Sequence, residues 1–173
     1  VTGPEFSRIV PVGRLTARPT LHRIEADEPE RRALALRFGL RSLDRLRAEI
    51  RLSRAAGGVR LDGVLEAAVV QSCVVTLDPV PSAPADAFTL IYRRGIESAE
   101  ADRLTLETDE PVVFEPLDGD AIDIGEVVAQ QLSLVMDPYP RAAGAALESE
   151  PDIETAAGEH RMFDASGSFA RKA

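Results

Sequence analysis

The sequence predicts an α+β fold: a mainly antiparallel, strongly curved or barrel-like β-sheet, two packed helices and a disordered C-terminal tail. Three observations lead there. Residues 59–77 read as one long apolar strand, with Leu65, Ala67, Val69, Cys73, Val75 and Leu77 on one face and Val64, Ala68, Val70 and Val74 on the other. A strand apolar on both faces is either covered on both sides or part of a sheet that curls toward closure. Next, Leu46, Ala48, Ile50 and Leu52 alternate with Arg47, Glu49, Arg51 and Ser53, the pattern of a strand with one wet face. Finally, two stretches beginning at Asp27 and Asp123 open with an acidic cap and a glutamate three residues on, then continue at helical spacing.

Along the chain, residues 5–12 are extended and contain Pro11, which suits an edge strand or an arm laid over the core. Residues 21–25 form a second short strand that runs into Asp27-Glu28-Pro29-Glu30. There Asp27 caps free amides, Glu30 completes a capping box and Pro29 fits the first turn; the helix continues to Phe38, with Gly39 as its left-handed stop. After a turn at 40–44, the alternating strand passes through Ala56-Gly57-Gly58 into the long strand, making an antiparallel hairpin with arginines on its solvent side. Gly63 is the expected bend and Asp78-Pro79 the expected stop, while Pro79, Pro81 and Pro84 form a stiff connection to a strand at 87–93. Residues 95–103 read as loop or helical turn, and 104–106 and 112–114 as short strands. The second helix, with Ile124, Val127, Val128, Leu132 and Val135 on one side, ends at Asp137-Pro138-Tyr139-Pro140. Residues 5–145 thus form one domain. Residues 146–173 form a flexible acidic tail, whose six acids and three bases surround too few large apolar residues to offset the entropy of ordering.

A chain of 173 residues suits a single core. Its longest uncharged run, 67–77, is well short of the roughly 20 residues that span a bilayer. The N-terminus has no basic start before an apolar stretch, which points to the cytoplasm, and one cysteine excludes an internal disulfide. The net charge of -9 argues against nucleic acid as a partner, but it is unevenly spread. Between positions 31 and 60, nine arginines face only Asp44 and Glu49, leaving +7 there and -16 elsewhere. Such a segment offers a basic face to phosphate or to an acidic protein. The plainer alternative is that arginine is this chain's general solvating cation, since Lys172 is its only lysine.

Little in the sequence points to catalysis. Cys73, among Val69, Val74 and Val75, reads as a small buried hydrophobe rather than a nucleophile. Cys73, His22 and His160 lack the paired spacing of a zinc site. Asp118-Gly119-Asp120 with Asp123 lacks the oxygen run and closing glutamate of a hand-type calcium loop, and Asp123 is better explained as a helix cap. There is no phosphate-cradling glycine loop and no nucleophile elbow. No catalytic residue, metal ligand or cofactor is expected.

Three stretches carry a family resemblance: Glu30-Arg31-Arg32-Ala33-Leu34-Ala35, Gln71-Ser72-Cys73-Val74-Val75-Thr76-Leu77-Asp78-Pro79-Val80, and Ile122-Asp123-Ile124-Gly125-Glu126 through Asp137-Pro138-Tyr139-Pro140-Arg141. In this order they resemble the bacterial YceD family of large ribosomal RNA subunit accumulation proteins, over roughly residues 6–145. The resemblance implies a non-enzymatic, cytoplasmic role in making or preserving large-subunit ribosomal RNA, and hence in ribosome assembly. It implies ribosomal RNA, a ribosomal protein or an assembly intermediate as partner, and neither a membrane nor a small-molecule substrate. Many relatives carry Cys-x-x-Cys where this chain has Cys73-Val74-Val75-Thr76, so the second ligand of any metal pair is missing, and Phe169-Ala170 only loosely matches an Asn-Pro-Phe-Ala type ending. The residues expected to bind the partner are Arg31 and Arg32 on the first helix, Arg45, Arg47 and Arg51 on the wet strand, and Tyr139 and Arg141 after the second helix. The alternative is a small metal-dependent RNA-processing enzyme using Asp118, Asp120 and Asp123.

Overall fold

Strands β3 (Ser42–Ala55) and β4 (Gly58–Ser72) pair antiparallel from Ser42↔Val70 to Ala55↔Gly58. This hairpin is the centre of a computed structural model that describes residues 3–55, 57–108 and 111–145. Alternation decides which side chains are buried. Leu46, Ala48, Ile50 and Leu52 of β3 and Val59, Leu61, Leu65, Ala67 and Val69 of β4 face the core, while Arg47, Glu49 and Arg51 between them are exposed. β2 (Thr20–Glu25) pairs with β3, β6 (Ala85–Arg93) pairs with β4, and β7 (Val113–Pro116) lies parallel to β6. The order is β2-β3-β4-β6-β7, with β5 (Pro79–Ser82) paired antiparallel to residues 69–72 at the end of β4, and a separate small sheet joins β1 (Ile9–Pro11) to β8 (Ala121–Asp123).

Two helices cover the buried face of the large sheet. In α1 (Glu28–Arg37) the capping box forms as its sequence requires: Asp27 Oδ1 accepts from the Glu30 amide at 2.9 Å, and Glu30 Oε2 accepts from the Asp27 amide at 2.9 Å. In α3 (Ile124–Val135), Asp123 Oδ1 accepts from the amides of Gly125 and Glu126. Leu34 of α1 and Ile124, Val128 and Leu132 of α3 enter the same core as the strand residues, together with Phe6. Full burial of one such side chain is worth roughly 1.5–3 kcal/mol, so this core is the main source of stability. Arg37 of α1 clamps the helices by donating to both carboxylate oxygens of Glu126 at 2.8 Å and to Glu5 at 2.9 Å. That pairing holds the Glu126 carboxyl below its ordinary range, against partial burial.

The structure is α+β and mainly antiparallel, but the expected barrel-like curl is absent. β2 and β7 terminate an open sheet. The reason lies on the second face of β4, where Arg60, Asp62 and Glu66 make ion pairs beside a half-exposed Val64, so only one face is core. β4 also stops at Ser72 rather than at 77, because residues 73–78 turn the chain back into β5. Pro79 and Pro81 belong to that strand, and its short length and edge position tolerate the missing amides. Gly63 is no bend: β4 runs straight through it, and a Cβ there would lie 2.3 Å from Phe88 Cζ, so glycine makes room for the ring. Residues 104–106 are helical, part of α2 (Ser98–Glu107), which is the crossover that lets β7 run parallel to β6. Thr105 Oγ1 donates to the Ala101 carbonyl at 3.0 Å and accepts from the Phe114 amide at 2.8 Å, covering a donor of the edge strand. Among the described residues no helix is long and apolar enough to cross a membrane. The expected flexible tail, 146–173, lies outside the described residues.

Candidate partner-binding surface

Two of the stretches singled out in the sequence meet at one corner. Beyond β4 the Cys73 amide donates to the Asp78 carbonyl at 2.8 Å and the Leu77 amide to the Cys73 carbonyl at 3.0 Å. This closes a turn that holds Leu77 at φ 63, a conformation costly for a side chain with a Cβ. The segment after α3 docks onto the turn through its backbone. Val74 donates to the Pro140 carbonyl at 2.9 Å and Gln71 Nε2 to the Asp137 carbonyl at 2.8 Å. Asp137 Oδ1 accepts from the Tyr139 amide at 2.9 Å, leaving the Tyr139 ring 71 % exposed, and Val74 and Leu77 are exposed as well.

Cys73 is buried, as its apolar neighbours suggest, but it is not a strand hydrophobe. Its sulfur faces converging donors: the amides of Val75 and Thr76 each approach to 3.4 Å. The Ala142 amide, the Thr76 hydroxyl and amide and the Val75 amide favour the thiolate, and the thiol is lowered to about 6. Among the described residues no group of three or more His, Cys, Asp or Glu side chains could hold a metal ion. Two of the three acids of the alternative reading, Asp120 and Asp123, are engaged separately. Asp120 pairs with Arg94 at 2.6 Å, while Asp123, besides capping α3, accepts from the Ser7 hydroxyl at 2.6 Å and the Arg8 amide at 2.7 Å.

Arg41 ties the turn to the rest of the molecule, a role the sequence reading missed. Its Nε donates to Ser72 Oγ at 2.9 Å, its Nη2 to the Leu77 carbonyl and its amide to the Val70 carbonyl at 2.8 Å. The available signal was Gly39, at φ 65, which ends α1 and sets Arg41 at the joint with β3. Arg41 also lines an open groove of about 500 Å³ with Arg31, Arg32, Leu36, Leu40, Glu28 and Asp44. Arg32 is neutralised by Glu28, one helical turn away. Arg31 donates to the Ala26 carbonyl at 2.7 Å, so Arg31 and Arg41 rest on neutral oxygens and meet no carboxylate among the described residues. Leu36, on the same groove, is 85 % exposed.

The outer face of the sheet is built differently. Arg23 pairs with Glu49 at 2.7 Å, Arg47 with Glu66, and Arg60 with Asp62 at 2.9 Å. Arg51 stands opposite Asp62 across the β3–β4 ladder. Burial pushes the Asp62 carboxyl up, but hydrogen bonds from Arg60 and Thr89 and the charge of Arg51 outweigh it and hold it low. The predicted residues are therefore divided among four places. Arg31 and Arg32 line the groove, Tyr139 lies within the docked segment with Arg141 just after it, and Arg47 and Arg51 lie on the outer face among acids. Arg45 sits just beyond the bulge at Asp44, exposed, and among the described residues it makes no ion pair.

The model of the family described as large ribosomal RNA subunit accumulation protein YceD matches residues 61–165, more than half of the chain. The chain belongs to the YceD family. No curated protein and no solved structure matches it. The YceD match begins within β4 and takes in the Cys73 turn, α3 and the docked Asp137-Pro138-Tyr139-Pro140 segment, whereas Arg31, Arg32 and Arg41 precede it. The corner thus joins family-matched residues to arginines supplied by α1 and the start of β3. Family membership links the chain to accumulation of large-subunit ribosomal RNA.

Proposed function

We propose that this YceD-family chain supports accumulation of large-subunit ribosomal RNA without catalysing a reaction, by binding ribosomal RNA at the corner between α1 and the Cys73 turn. One observation carries this reading: Arg31 and Arg41 are held in place by neutral oxygens and their charge has no carboxylate partner among the described residues. Phosphate is the ligand such guanidiniums suit, by bidentate geometry as well as by charge. Tyr139, largely exposed on a rigid proline-flanked segment, adds a face on which an unstacked base can lie. The outer sheet face is the poorer candidate, because phosphate would have to displace Glu49, Glu66 or Asp62 from its arginine.

The test is the affinity of the full chain for large-subunit RNA fragments across a range of salt. Arg31→Gln/Arg41→Gln should weaken binding about tenfold or more and flatten the salt dependence, since each lost phosphate contact lowers the slope by about one. Arg23→Gln/Arg47→Gln/Arg51→Gln should leave both nearly unchanged. Equal losses in the two variants, or none in either, would overturn the assignment. Association with ribosomal protein in the absence of RNA would make the partner a protein.

A further inference from the structure

The corner groove combines the side chains of Leu36 and Leu40 with Arg31 and Arg41, which meet no carboxylate among the described residues, and with the internally paired Arg32 and Glu28; Asp44 is its other acid. That is the complement of an acidic, apolar segment, and the chain carries one. Residues 147–154 hold Glu148, Glu150, Asp152 and Glu154 with no base, flanked and interrupted by Leu147 and Ile153. This stretch begins two residues beyond Ala145, where the described part ends, and the Ala142 amide helps to hold the Cys73 sulfur beside the turn that Arg41 binds. Eight extended residues reach roughly 25 Å, enough to cross a corner of a domain this size. The YceD match runs on to residue 165, so the acidic stretch is part of the matched pattern and not an appendage to it.

We propose that residues 147–154 dock in cis along this groove, with Leu147 and Ile153 against Leu36 and Leu40 and the carboxylates of Glu148, Glu150, Asp152 and Glu154 facing Arg31 and Arg41. The tail then occupies the guanidiniums that phosphate would otherwise reach, and RNA must displace it. Such a contact is electrostatic and open to solvent, so it weakens as salt rises.

Amide NMR spectra of the isotope-labelled full chain test this, comparing wild type with Glu148→Gln/Glu150→Gln/Asp152→Asn/Glu154→Gln. Outside the substituted stretch and its immediate neighbours, the largest shifts between the two should fall on residues 31–36 and 40–44. The same amides should move in wild type, but not in the variant, when salt is raised about tenfold. Wild-type positions should not depend on protein concentration. Shifts absent from the groove, or confined elsewhere, would overturn the docking; shifts that vanish on dilution would assign the contact to the tail of a second copy and overturn the cis arrangement. A single-stranded oligouridylate probe should bind the neutralised variant several-fold more tightly than wild type at low salt. If it binds neither protein, the RNA-binding reading fails, while the spectra still decide whether the tail docks.

Discussion

Both the outer sheet face and the α1 corner are rich in arginine, yet they differ in what surrounds each guanidinium. On the sheet, Arg23, Arg47 and Arg60 each meet a carboxylate, and Arg51 faces Asp62 across the strands. At the corner, Arg31 and Arg41 are fixed by the carbonyls of Ala26 and Leu77 and the hydroxyl of Ser72. The first arrangement solvates a strand pair and quenches its own field; the second orients positive charge without cancelling it. Residue count is therefore a poor guide to a binding face, and the pairing state of each charge is a better one. The corner is also where the backbone departs from regular structure, at Leu77 and around Cys73, as is common where a fold serves a ligand.

The largest effect is expected at Cys73, because its sulfur anchors the turn that organises the corner. Cys73→Ala leaves the amides of Val75 and Thr76 without their acceptor and should lower the unfolding temperature markedly. The loss should depend on pH in a defined sense. The folded thiol, lowered to about 6, lies below its unfolded value of about 8.5, so its stabilisation is fully present above the unfolded value and is lost as pH falls through about 6. The gap between wild type and variant should thus be widest near the alkaline end and close toward pH 5 or so. A gap that is flat with pH would mean that the sulfur acts only by filling space.

Arg41→Ala comes next. It removes the side chain's hydrogen bonds to Ser72 and the Leu77 carbonyl and leaves Leu77 in its left-handed conformation with less support. A cost of about 1–2 kcal/mol is expected, read by denaturant unfolding. Leu77→Gly in the Arg41→Ala background should recover part of it, since glycine adopts that conformation freely. No recovery would place the cost in the groove instead of the turn.

Some of this was legible in the chain and some was not, for physical reasons. The capping box at Asp27, the side-chain cap at Asp123 and the alternation of β3 are local, so a few neighbouring residues specify them. Which strand face is core in β4 is not local: Glu66 and Asp62 look like interruptions in an apolar run until Arg47 and Arg60 are placed beside them. The same holds at the turn. Cys73-Val74-Val75-Thr76-Leu77 has the composition of a strand, and only the return of β5 and the docking of Pro140 show why it bends. The last turn of α2 reads as strand because Leu104 and Leu106 alternate about Thr105, whereas its helical role depends on Thr105 reaching Phe114 on β7. Arg31 and Arg32 are expected from sequence to contact a partner and do line one groove, but Arg41, which joins that groove to the Cys73 turn, becomes visible only with the tertiary structure.

The smallest effect should come from the outer face, and its smallness would sharpen the contrast between the two regions. Arg47 and Glu66 stand directly opposite each other in the β3–β4 register, with side chains 53 % and 45 % exposed. Attraction between groups so wetted is offset by the entropy of holding two long side chains, and salt screens what is left. Arg47→Ala, Glu66→Ala and the double variant should each shift the unfolding temperature by a few degrees at most, with a coupling that fades as salt is raised. RNA affinity should not follow these changes, because the pair is already neutral and removing both partners leaves the face as it was. A large coupling that survives high salt would show the ladder to be a rigid network. A gain in RNA affinity on removing Glu66 alone would be more telling, since it would mean that Arg47 was a masked phosphate ligand and that the two regions differ in degree only.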